Sequence, residues 1–321
     1  AIAAVGGMVG PALLYFMLNN SGEAARGWGI PMATDIAFAV GIVALLGARV
    51  SPKLKLFLLT LAIVDDIGAI AVIAIFYTTD LSISWLVIAV VGLVGIRVLQ
   101  ILKVWAIAVY ILLGIFIWYA MLESGVHATI AGVALGLLTP ARPLLAERDA
   151  QSIVDAMPDD AGIGEVRHVS FLVQESVPLT ERFENFLHPF TAYMIIPIFA
   201  LANAGIVLTS EKVSAATSSN VTIGIILGLV VGKPLGITLF AWVATKVGFE
   251  LPPGINWVQF IGMGLAAGIG FTVSIFVAGL AFQTDAITDL GKIGILAASA
   301  IAAVAALIIL FVSADNEEPS S

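Results

Sequence analysis

Apolar stretches broken by short polar punctuation make up almost all of this chain, and ten of them are long enough to cross about 30 Å of hydrocarbon. They lie near residues 1–19, 24–48, 54–77, 82–101, 104–122, 124–139, 187–206, 221–246, 257–283 and 290–313. One polar interruption is long. It covers 140–187, opens with PARPLLAERDAQSIVDAMPDD, and is too polar to cross a bilayer, so it is expected to be partly helical at the membrane surface. The chain ends in SADNEEPSS, which reads as a solvated acidic tail over 314–321. The pattern predicts an all-α polytopic membrane protein, with membrane helices in 1–139 and 188–313 on either side of a cytoplasmic loop at 140–187.

Composition agrees. Of 321 residues, 60% are hydrophobic and 11% charged, with a mean hydropathy of +1.08, far more apolar surface than one soluble core could bury. The net charge of -8 is concentrated in the loop and the tail, so it implies no acidic or nucleic-acid partner. The absence of cysteine excludes disulfides, thiolate metal sites and cysteine nucleophiles. The chain opens at Ala1 already inside an apolar segment, and reads as a piece of a longer protein with residues upstream.

Lysine and arginine set the orientation. Ten spans make alternate connections fall on opposite sides, and one side carries Arg49, Lys53, Lys55, Arg97, Lys103, Arg142, Arg148, Arg167, Arg182 and Lys246. The other carries Arg26, Lys212 and Lys292. The positive-inside rule makes the first side cytoplasmic.

Against this background a few polar residues stand out. Asp65 and Asp66 sit in LAIVDDIGAIAVIAIF, with Asp65 roughly 18 Å along the helix from Lys53 and a similar span from Asp80, which is mid-bilayer. A central aspartate costs about 2.5 kcal/mol or more to insert, so it is expected to face a partner or a wet cavity. Neighbouring helical residues point about 100° apart, so the two acids cannot share one direction. Asp35 lies in GWGIPMATDIAFAVGIVALLGARV, where Pro31, Thr34 and Asp35 supply helix-stop and N-cap chemistry in mid-span. This reads as two half-helices joined by an unwound link, the alternative being a proline kink capped by Asp35. The matching cation is Lys233, in LGLVVGKPLGITLFAW, too deep to snorkel easily and so expected to find a carboxylate, lose its proton or be used covalently.

DIAFAVGI (35–42) and GIGFTVSI (268–275) share Ile, Phe, Val and Ile at alternate positions, and each sits in the second helix of a three-helix group. The groups, 1–77 and 221–313, run in opposite directions, so they are expected to be inverted repeats with two discontinuous crossing helices. Gly268 and Gly270 mark the second break; an ordinary glycine-lined packing face is the plainer reading.

The motifs ATDIAFAVG, AIVDDIGAI, SGVHATIAG, FALANAG, GKPLGI and GIGFTVSIF, in this order, resemble the NhaA-type sodium/proton antiporter family. The resemblance covers essentially all of 1–313 apart from the central loop. It implies that Asp65 and Asp66 form the cation and proton site, that Asp35 and Thr34 belong to the helix crossing, and that Lys233 pairs with Asp65. It also implies electrogenic, pH-regulated exchange in a bacterial inner membrane, in which sodium or lithium leaves as protons enter, with no cofactor. The family carries two helices before position 1 and a dimerising hairpin between them, so a homodimer is expected of the full-length protein. The 140–187 loop is longer than in familiar members, and regulatory detail there does not carry over.

Sodium prefers oxygen ligands, which Asp66, Asp65, the Thr34 hydroxyl, unwound carbonyls and water can supply. Proton and sodium would compete for the same oxygens. His127, in SGVHATIAG, is as well read as an interfacial histidine as a functional one. Glu184 and His188, in ERFENFLHPF at the cytoplasmic mouth, read by themselves as a solvated helix start, whereas the family resemblance implies pH sensing for them. His168 is expected in solvent, and Trp28, Trp85 and Trp257 read as interface anchors. A retinal protein would need seven helices, and an aspartyl protease would need its two acids on facing helices, so a sodium-coupled solute symporter is the remaining rival.

Overall fold

The computed structural model describes residues 1–78, 81–102, 104, 107–143, 145–156, 162–249 and 255–314. Asp80, Lys103 and the acidic tail from 315 onward lie outside the described residues.

In chain order, α1 (Ile2–Leu18) is followed by a 3-10 helix (Glu23–Met32), α2 (Ile36–Ala44) and α3 (Pro52–Phe76). Next come α4 (Ile83–Ile101), α5 (Ile107–Glu123), α6 (Thr129–Leu138), α7 (Glu147–Asp155), α8 (Ile163–Gln174) and α9 (Leu179–Phe190). The remainder is α10 (Ile196–Ala204), α11 (Ser210–Ser218), α12 (Asn220–Leu227), a π-helical turn (Gly228–Gly232), α13 (Lys233–Lys246), α14 (Trp257–Ala267), α15 (Phe271–Ala281) and α16 (Asp285–Ala314). Among the described residues, five helices are long and apolar enough to cross a membrane, and two bent pairs each form one further candidate span. Three more apolar helices, Ile2–Leu18, Ile107–Glu123 and Thr129–Leu138, are shorter. A helix therefore stands in each of the ten apolar stretches.

The chain divides into two units. The first takes residues 1–77 and 199 onward, the second 78–198. In the first, local chemistry explains the breaks. Ser51 accepts from Leu54 N–H at 3.3 Å and Pro52 occupies the first turn, which starts α3 sharply. Asn256 and Gln259 cap α14 reciprocally. The 3-10 helix and α2 meet at 43° across 33–35, and α14 and α15 meet at 49° across 268–270. Two apolar cores flank these links. One joins α2, the first half of α3, α13, α14 and the end of α16 around Leu54, Leu58, Phe260 and Met263. The other joins the 3-10 helix, the end of α3, α12, α15 and the start of α16 around Tyr15, Ile30, Ile225 and Leu229. The polar link residues therefore fall between two apolar layers.

The second unit packs α4, α5 and α6 around Ala89, Ile96, Ile117 and Ala131, with Leu179 buried beside them. The helix expected over 187–206 begins at Leu179. Its first turns look like loop in sequence because they carry Thr180, Glu181 and Arg182, but Arg182 is paired with buried Glu175 at 3.0 Å, and Leu179 enters the core. The polar interruption accordingly ends near 178, and it contains α7 and α8.

Candidate functional site

Asp65 lies in the middle of α3, fully buried, and Lys233 begins α13, also fully buried. Lys233 Nζ sits 2.7 Å from Asp65 Oδ2. The ammonium also donates to the backbone carbonyl of Met32, at the end of the 3-10 helix. Thr34 Oγ1 lies 2.6 Å from the same Asp65 oxygen and 2.9 Å from the Ala267 carbonyl, and its single proton serves one of the two at a time. Asp65 Oδ1 is buried, with no hydrogen-bond partner among the described residues. Such a pair is expensive to desolvate, and deleting either partner would strand the other charge.

Three helix breaks create this cluster. The π-helical turn Gly228–Gly232 immediately precedes Lys233, and such turns concentrate where a helix must re-aim a side chain. The two inter-helix links touch directly. Asp35 N–H donates to Ile269 C=O at 2.7 Å. Gly270 lies where a Cβ would come within 3.1 Å of the Ala33 carbonyl and collide with the Ser274 hydroxyl, and a Cβ on Gly268 would collide with Leu229 C=O. Both glycines have negative φ, so close approach, not a left-handed backbone, explains them.

Asp35 binds at two helix starts at once. Its Oδ1 accepts from Phe38 N–H at 3.1 Å, capping α2, while its Oδ2 accepts from the N–H of Thr272 at 3.0 Å and from the Thr272 hydroxyl, in the first turn of α15. A carboxylate there faces the positive ends of two half-helices, whereas Lys233 meets the carbonyl end of a third. Asp66, one residue beyond Asp65, is half-buried, and its Oδ1 is enclosed without a hydrogen-bond partner among the described residues.

The sequence profile of the Na+/H+ antiporter 1 family matches residues 1–310. The chain belongs to that family. An antiporter of Frankia alni, Na(+)/H(+) antiporter NhaA 3, is 42% identical over 313 residues, covering 97% of this chain and 68% of the relative. The NhaA antiporter of Rhodopirellula baltica is 44% identical over 95% of this chain and 71% of its own length, and that of Citrobacter koseri 45% identical over 94% and 71%. With these relatives and its apolar helices, the chain is a multi-pass membrane protein of the antiporter family, and no catalytic family is indicated.

Not every residue singled out in the sequence of this antiporter-family chain joins the cluster. His127 lies in the turn between α5 and α6, and Glu184 and His188 lie exposed in the last turns of α9. All three belong to the second unit and share no element with Asp65 or Lys233. Glu184 and His188 are thus well inside a continuous helix, not at its start. Conversely, sequence reasoning passed over the carbonyls of Met32 and Ala267 and the hydroxyls of Thr272 and Ser274. Backbone carbonyls carry no sequence signal, but Thr272 and Ser274 are hydroxyls in an otherwise apolar run just past the break marked by Gly268 and Gly270, and that is a signal the sequence offers.

Proposed function

We propose that this protein exchanges cytoplasmic sodium, or lithium, for external protons across a bacterial inner membrane, electrogenically and with activity rising at alkaline pH. The observation that carries the reading is the fully buried Lys233–Asp65 ion pair at the point where two broken helices touch. Burial disfavours a lone carboxylate charge and a neighbouring ammonium favours it, so the two effects oppose each other at one group. Cation or proton can then neutralise Asp65 and Asp66, with Thr34 and unwound carbonyls as further oxygen ligands. If the empty, charged site is barred from changing its exposure while either loaded form is free to do so, competition alone yields exchange. Asp35 serves to balance the helix ends. The groups 1–77 and 221–313 act as inverted repeats around this centre, the full-length protein works as a homodimer, and Glu184, His188 and His127 are candidates for the pH response.

The test is sodium addition to everted membrane vesicles holding a pre-formed pH gradient. Collapse of the gradient is expected, and its loss in Asp66→Asn would assign the cation site. A gradient untouched by sodium and lithium at every pH would sink the reading; sodium-driven uptake of an organic solute would favour the symporter instead.

A further inference from the structure

The 3-10 helix Glu23–Met32 is ten residues long, although this geometry is seldom sustained beyond three or four residues. Its carbonyls explain how it persists. Ala24 C=O accepts from the Tyr15 hydroxyl at 2.7 Å, Arg26 C=O from the Tyr77 hydroxyl at 2.5 Å, Ile30 C=O from the Ser274 hydroxyl at 2.9 Å, and Met32 C=O from Lys233. Four side chains from α1, the end of α3, α15 and α13 thus hold four carbonyls of one segment. Tyr15 is fully buried and Tyr77 nearly so, which gives the phenols few competing partners. At its first residue, the Glu23 carboxylate accepts from Gln283 N–H at 2.6 Å, Thr284 N–H at 2.9 Å and the Thr284 hydroxyl at 2.8 Å, tying the segment to the start of α16.

The consequence is metrical. A 3-10 helix rises about 2.0 Å per residue and an α-helix about 1.5 Å, so relaxation over this length would shorten the segment by roughly 5 Å. A displacement of that size would withdraw the Met32 carbonyl from Lys233 and carry Thr34 away from Asp65.

We propose that Tyr15 and Tyr77 are positioning residues that keep this segment in its long form and so pre-set the Met32, Thr34 and Lys233 groups around Asp65. The inference rests on the exchange reading above. Neither tyrosine touches the ion pair; each acts through the backbone that does. Gly29 belongs to the same device, because a Cβ there would meet the Tyr77 hydroxyl at 2.8 Å and force the phenol off its carbonyl.

The experiment measures apparent KM for sodium and maximal rate in vesicles for Tyr15→Phe/Tyr77→Phe, with a thermal melt in detergent to establish folding. Loss of the two hydrogen bonds is expected to raise KM roughly tenfold while the maximal rate stays within about twofold. Gly29→Ala should also raise KM, and Gly29→Ala/Tyr77→Phe, in which the obstructing oxygen is gone, should be less impaired than the sum of its single changes. A wild-type KM in the folded double phenylalanine variant, or a fall in maximal rate at unchanged KM, would overturn the proposal, as would strict additivity of Gly29→Ala and Tyr77→Phe. Wild-type vesicles without any sodium response would instead refute the exchange reading, so the two failures are separable.

Discussion

Lys233→Met keeps a long unbranched side chain and deletes its charge, leaving Asp65 fully buried with the Thr34 hydroxyl at 2.6 Å as a remaining donor. Removing one partner of a buried ion pair costs about 3–5 kcal/mol because a charge is left uncompensated. The upper part of that range is expected, since neither side chain has any exposure. Asp65→Asn should cost a similar amount by stranding the ammonium on the Met32 carbonyl. The combined Lys233→Met/Asp65→Asn variant removes both charges of the pair and strands neither, so it should lie within about 2 kcal/mol of wild type. The cycle therefore predicts a coupling of at least about 3 kcal/mol. Denaturant unfolding in mixed micelles at fixed pH measures it, and sodium-driven proton movement should be lost in all three variants. If the double variant is as unstable as the sum of the singles, or if Lys233→Met alone is as stable as wild type, the pair is not the energetic centre described above.

Asp35→Ala removes the cap of α2 and strands the Thr272 N–H, so it should destabilise by about 2–4 kcal/mol in the same unfolding assay, with Asp35→Asn milder because one acceptor oxygen survives. Gly270→Ala drives a methyl into the Ser274 hydroxyl and toward the Ala33 carbonyl, and should cost about 1–3 kcal/mol and raise the apparent KM for sodium. Arg182→Ala strands Glu175 in the second unit, where the carboxylate is almost fully buried and the arginine partly so, and should lower the melting temperature without altering the sodium KM at alkaline pH.

Much of the arrangement was legible because polar groups are rare and costly in apolar helices. Asp65, Asp66, Asp35 and Lys233 announced themselves by depth alone, and Pro31 with Thr34 marked a break that the structure has at 33–35. The family resemblance carried by the quoted motifs also held. The start of the helix at Leu179 was hidden, because a paired arginine and a solvated one look the same in sequence. The brace on Glu23–Met32 was hidden for a related reason: Tyr15 reads as an apolar core residue and Tyr77 as a span-end aromatic, and both are, apart from one oxygen each.

Local hydropathy, capping chemistry and the cost of a buried ion were enough to mark what must lie in the membrane, the breaks near 31–35 and 268–270 and the charges that need partners, but not the π-helical turn before Lys233. Which groups meet was decided by the tertiary fold. Lys233 is 168 residues from Asp65 and 201 from Met32, and Asp35 is 237 from Thr272. Such contacts depend on how the broken helices cross and how closely their backbones approach, and backbone carbonyls, which supply a large share of the acceptors here, have no letter in the sequence.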